Sequence, residues 1–154
     1  FRWEGVPNDG YGGVMQPSPT EAWKSIERFV IFGNNEDVLF HLRYFEVGPG
    51  GHSCLEKHGH THCVLGMRGK GKVIVGDKVY DLNFMDAIYI SPNTPHQLVN
   101  VGDEPFGFIC VVNAERDNPV PLEGEDLEAV KNHPETGKAI KTGHSLSCDW
   151  KPSK

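Results

Sequence analysis

An all-β barrel of one domain is the fold this sequence predicts, and three observations predict it. Eighteen glycines and eleven prolines cut the 154 residues at short intervals, the spacing of strands joined by turns rather than of helices alternating with strands. Between them stand seven runs rich in β-branched or aromatic residues: 40–47, 63–67, 72–75, 79–82, 87–90, 97–101 and 106–112. The length suits a single domain with its own core.

Each element has a local reason. Ahead of the strands, a short amphipathic segment over 19–26 opens with Thr20 and Glu21, a helix-start pattern, and is expected to cap a barrel end. Gly76-Asp77-Lys78, between VIV and VYDL, reads as a tight hairpin, because glycine and aspartate tolerate the positive φ of such turns. At Ser91-Pro92-Asn93-Thr94-Pro95 two prolines deny the ladder its amide donors and force a corner, with His96 just after it. Past Pro121 the composition turns polar. A short helix over 125–132 with Leu127 and Val130 on one side is expected, stopped by His133-Pro134, with the remainder loosely ordered.

Composition narrows the function. A net charge of -6 argues against a broad nucleic-acid-binding surface and favours a small-molecule partner. No apolar stretch is long enough to span a bilayer as a helix. Four cysteines, at 54, 63, 110 and 148, are too sparse for a disulfide scaffold, and no signal-peptide pattern opens the sequence, so a reducing cytoplasm is expected.

The chemistry concentrates in EKHGHTHC, residues 56–63. If 55–62 stays extended, Glu56, His58, His60 and His62 share one face, and a bend would drop one of them. Imidazole and carboxylate together suit Mn(II), Fe(II), Ni(II) or Zn(II) and leave coordination positions open for a substrate. His41, His52, His133 and His144, standing alone, read as solvated side chains.

GGHSCLEKHGHTHCVLGMRGKG and DAIYISPNTPHQLVNVG, in that order and at this separation, resemble the two conserved motifs of the cupins. The resemblance covers roughly 38–113 and implies a double-stranded β-helix, or jelly-roll barrel, commonly dimeric, with one metal ion inside a mouth. Residues 1–37 and 114–154 would then be extensions packed on it. The ligands so implied are Glu56, His58, His62 and His96, although the usual first motif has histidine where Glu56 stands. His60 reads as a residue behind the ligands, or as a ligand in place of Glu56.

Cys63 beside a ligand is unusual. A thiol near a cation ionises readily, so Cys63 is the expected nucleophile or acid, while strict alternation would instead make it an apolar filler on the opposite face. Cys110 reads as core or as a second thiol facing the metal, and Cys54 and Cys148 as bystanders. Arg43 is the cation best placed for an anionic substrate, with Lys57 pointing outward and Arg68 a further candidate. Gln97, Phe106, Phe108, Tyr44 and Tyr89 are candidates for pocket walls or core.

The wording FRWEGV, LRYFEVGPGGHSCLEKHGHTH and EPFGFICVVNAERDNP resembles a narrower set of small cupins that includes methylsulfurylases. That resemblance implies removal of the methylthio group from 1-methylthio-xylulose 5-phosphate, Mn(II) favoured, with a thiol such as glutathione as acceptor, leaving 1-deoxyxylulose 5-phosphate. A non-haem Fe(II) dioxygenase and a non-catalytic metabolite-binding or sensor cupin are the alternatives. Exposed strand edges suggest a homodimer.

Overall fold

The computed structural model describes residues 1–11 and 22–142. Its strands all pair antiparallel. Alternation sets the long strands: in β2 (Phe40–His52), Arg43, Phe45 and Val47 share one face with Phe108 and Cys110 of β9 (Phe106–Asn113), where Arg43 pairs with Cys110 and Phe45 with Phe108. β9 pairs on its other edge with β4 (His62–Arg68), Cys110 opposite Val64. β4 in turn pairs with β7 (Ala87–Ile90). The apolar residues of that face, among them Phe45, Val47, Val64, Phe108 and Val112, form the core with Ile90, Leu98 and Phe106. Each such large side chain contributes roughly 1.5–3 kcal/mol on burial.

The second half of the barrel is built on β8 (His96–Asn100), buried along its whole length and paired with β5 (Gly71–Val75) and, at single positions, with β2 and the short β3 (Glu56–Lys57). β5 turns into β6 (Lys78–Leu82) through Gly76-Asp77, with Val75 opposite Lys78 and Gly76 at φ 62°, as the hairpin reading requires. Gly71 has no room for a Cβ, which would run into the Phe106 ring.

Four features differ from the sequence reading. The segment expected as a helix over 19–26 lies partly outside the described residues, and from Lys24 it is strand: β1 (Lys24–Phe32) pairs with β2, burying Ile26, Arg28 and Phe29. Its i, i+3 spacing of apolar residues fits a helix and an irregular strand alike, and the open edge of β2 decides for the strand. β2 runs on to His52. Two-residue β10 (Val120–Pro121) pairs with β3. Past it, α1 (Gly124–Asn132) is the expected helix, with Val130 buried and Leu127 packed beside Leu55 and Leu122, but a second turn follows, α2 (Thr136–Ala139). Thr136 Oγ1 donates to Val130 O at 2.7 Å and fixes that turn. No described helix is long and apolar enough to cross a membrane.

Candidate metal centre

EKHGHTHC does not run as one strand. β3 stops at Lys57, the chain bends through Gly59, and β4 begins at His62. Asp117, from the connection after β9, holds the bend: its carboxylate accepts from Gly59 N at 2.5 Å, His60 N at 3.0 Å and His60 Nδ1 at 2.8 Å. The bend stacks the His58 and His60 rings at 3.5 Å, 5° apart. Opposite them the 91–95 corner is pinned by Asn93 N donating to His58 O at 2.6 Å, and it delivers His96.

The result is a three-imidazole centre. The ligand atoms of His58, His62 and His96 all lie within 4.8 Å of one another. Every Nδ1 is engaged, that of His58 with His60 O at 2.9 Å, of His96 with Thr94 O at 2.8 Å, and of His62 with Cys110 Sγ at 3.1 Å. Every Nε2 is buried without a hydrogen-bond partner. Burial holds all three imidazoles below their ordinary range, His58 at about 3 and His96 at about 4, so they are neutral near pH 7. An unsatisfied buried polar atom costs about 1–3 kcal/mol, and three converging on one point fit a divalent cation bound through Nε2, with Nδ1 oriented by the surrounding carbonyls and sulfur.

Glu56 stands beside this set. It pairs with His96 across β3 and β8, its Oε1 3.9 Å from His96 Nε2, and burial pushes its carboxyl up to about 8 against the pull of Arg43. His60 is next to His58, its Nδ1 committed to Asp117.

A cavity of about 60 Å³ opens from the imidazoles, lined by His60, His62, His96, Glu56, Cys110, Phe108 and Arg43, and by residues the sequence did not single out: Tyr11, Trp23, Arg28, Arg116 and Pro119. The latter come from the flanking segments, and nothing local in the sequence says that those segments fold over the barrel mouth. Arg43 Nη2 donates to Cys110 Sγ at 3.3 Å, and Arg28 forks onto Asp9 with Nη2 to Oδ2 at 2.9 Å.

Several expected site residues lie elsewhere. Cys63 is exposed, opposite Tyr89 on the outer face of β4, because alternation sends it away from His62. The buried thiol on the cavity is Cys110, held above its ordinary value because burial outweighs the pull of the Arg43 guanidinium. Gln97 is fully buried but on the face of β8 opposite His96, where it donates to Ser53 O and Lys141 O and accepts from Lys141 N, tying down the C-terminal segment. Tyr44 is core, with its hydroxyl on Glu46, which also takes Arg68; Tyr89 is 59% exposed. Lys57 points outward to Asp126 of α1, as expected. His52 is not solvated: it is buried, its Nδ1 3.0 Å from Ser53 O. Cys54 is disulfide-bonded and stands on the cavity wall. Cys148 and His144 lie outside the described residues.

The family model described as "Cupin domain" matches residues 43–112. The chain is 40% identical over 126 residues, 81% of its length, to a Rhodospirillum rubrum protein named 1-methylthio-D-xylulose 5-phosphate methylsulfurylase, covering 78% of that protein. The chain belongs to the cupins. Among solved structures this cupin superposes on a cupin-2 domain of Rhodospirillum rubrum with TM-score 0.78, at 38% identity over 89% of this chain and 88% of that one. A cupin 2 conserved barrel domain protein of Rhodopseudomonas palustris gives TM-score 0.82 at 34% identity, over 92% and 94%.

Proposed function

We propose that this cupin is a metal-dependent enzyme that removes the methylthio group from 1-methylthio-xylulose 5-phosphate, passing it to a thiol. The observation that carries the reading is a cluster of three imidazoles with buried Nε2 atoms, two of which, His62 and His96, line one cavity with a buried thiol, Cys110. A 40% identical relative bearing the methylsulfurylase name gives the reaction its class.

His58, His62 and His96 would hold the ion, with Glu56 as a fourth ligand and Mn(II) the favoured occupant. Bound there, a divalent ion supplies a Lewis acid for the substrate carbonyl. The chain's own residues do the rest. With Nε2 of His62 committed to the ion, its Nδ1 must carry the proton and donate to Cys110 Sγ. Arg43 donates to the same sulfur, so Cys110 receives two donors, which work against the burial that raises its thiol and favour the thiolate. That thiolate attacks the substrate sulfur, a sulfur–sulfur bond forms, and the carbon–sulfur bond breaks with its electron pair passing to C1. C1 takes one proton and becomes a methyl group. A second thiol, glutathione in the simplest case, then attacks Cys110–S–S–CH3, leaving with the methylthio group and restoring Cys110. The role expected of Cys63 thus passes to Cys110.

The test is anaerobic incubation of Mn(II)-loaded protein with 1-methylthio-xylulose 5-phosphate and glutathione, following 1-deoxyxylulose 5-phosphate and methyl glutathionyl disulfide by mass spectrometry. Both products without oxygen are expected. Turnover only with oxygen would replace this reading by a dioxygenase, and binding without turnover by a metabolite-binding cupin.

A further inference from the structure

The cavity is charged asymmetrically. Of its described lining residues three are arginines, Arg28, Arg43 and Arg116, and one, Glu56, is acidic and sits at the metal end. Arg28 and Arg43 reach the cavity from neighbouring strands, since β1 and β2 pair Arg28 with Phe45 and Val30 with Arg43 and so turn both arginines to the same face. Arg116 comes over the rim from the connection after β9, anchored by its Nη1 to Asn113 O at 2.9 Å and Ala114 O at 3.1 Å.

Arg43 is the informative member. It is 7% exposed, lies over the Phe45 ring at 5.2 Å, and spends Nη2 on Cys110. Its Nε is buried with no hydrogen-bond partner. Among the described residues no carboxylate lies within ion-pairing distance of its guanidinium, whereas Arg28 has Asp9. Nη2 faces a sulfur that is neutral until the Cys110 thiol ionises, and Nε faces nothing, so the guanidinium is a buried cation with no resident carboxylate against it, which is expensive unless a ligand anion meets it. The charges also crowd one another: burial, then Arg43 and Arg28, hold Arg116 down to about 10. A fold that gathers guanidinium groups around an open cavity is complementary to a ligand carrying more than one negative charge, and the guanidinium fork matches phosphate oxygens.

From this arrangement we infer that Arg43 and Arg116 form an anion subsite that takes the terminal phosphate of a phosphorylated ketose, with Arg28 held by Asp9 as its inner wall. The assignment rests on the sugar-phosphate reading above and supplies its specificity: the imidazole end takes the carbonyl, the arginine end the phosphate.

The test measures binding of D-xylulose 5-phosphate, D-xylulose and inorganic phosphate to Mn(II)-loaded protein by calorimetry. The phosphorylated ketose should bind at least about tenfold more tightly than the free ketose, the worth of a charge-assisted contact or two. That advantage should fall to about threefold or less in Arg116→Gln and in Arg43→Lys, which keeps the charge but loses the Nε donor. Lys70→Gln, on the exposed β4–β5 turn, should leave it intact. Unchanged metal content reports an intact site in every variant. Equal binding of both ketoses, or an advantage indifferent to Arg43 and Arg116, would overturn the subsite, as would inorganic phosphate that binds without competing with D-xylulose 5-phosphate. Arginine-dependent binding with no methylthio release keeps the subsite and removes the reaction. Release that ignores the phosphate does the reverse.

Discussion

Two cysteines separate a motif from a site. Cys63 is next to a ligand in sequence and outside the barrel in space; Cys110 is 48 residues from His62 and 3.1 Å from its Nδ1. Replacing Cys63 by serine should therefore leave turnover at the wild-type level, whereas Cys110→Ser should abolish it while metal content stays. With glutathione withheld, substrate should leave one methylthio group on Cys110 and none on Cys63, read by peptide mass spectrometry. A methylthio group on Cys63 would reverse the assignment. Glu56 offers a second residue-scale test. Its carboxyl, pushed up to about 8 by burial, is mostly protonated at pH 7, while the imidazoles at about 3 and 4 are already neutral. If Glu56 ligates, metal binding at pH 7 must expel its proton. Titrations in buffers of different ionisation enthalpy should show close to one proton released, falling toward zero above pH 9 and in Glu56→Gln. No release in the wild type would place Glu56 outside the coordination sphere.

At the scale of elements, the central strands and the 91–95 corner were legible, because turn residues and β-branched runs are local signals. The bend in EKHGHTHC was legible only as an alternative, since what makes it is Asp117, some 57 residues on. The β1 strand and the arginines at 28 and 116 were hidden for the same reason: each acquires its role by pairing with, or folding over, a distant part of the sheet. The bend carries its own prediction. Desolvation works against the Asp117 charge, but the Gly59 N–H and the His60 ring hold its carboxyl down to about 2. It is thus an anion at any pH above about 4, and the contact is lost only as pH falls toward 2. Asp117→Ala removes the three bonds that shape the loop and should weaken metal affinity about 10- to 100-fold, measured by competition with a chelator. An unchanged affinity would mean that His58 is positioned by the stack on His60 alone.

For the whole molecule, an ion on the three imidazoles would double as a fastening. His62 begins β4, His96 begins β8, and His58 sits in the bend between β3 and β4. β8 belongs to the ladder of β5 and β3, β4 to that of β9 and β7. An ion held by all three would therefore bridge the two halves of the barrel at the end where no direct pairing of β4 with β8 exists among the described residues. Binding to the folded state alone at a hundred times Kd adds about 2.7 kcal/mol, and a domain of this size gains roughly 2–4 °C per kcal/mol. Mn(II) at that excess should raise Tm by about 5–10 °C, and chelation should return it. His96→Ala should abolish that dependence even if its own Tm differs, because two imidazoles from adjoining turns of one segment no longer reach across the barrel. A Tm indifferent to metal in the wild type, with the ion shown to be bound, would mean that the strands alone fix the mouth and the centre adds chemistry without adding stability.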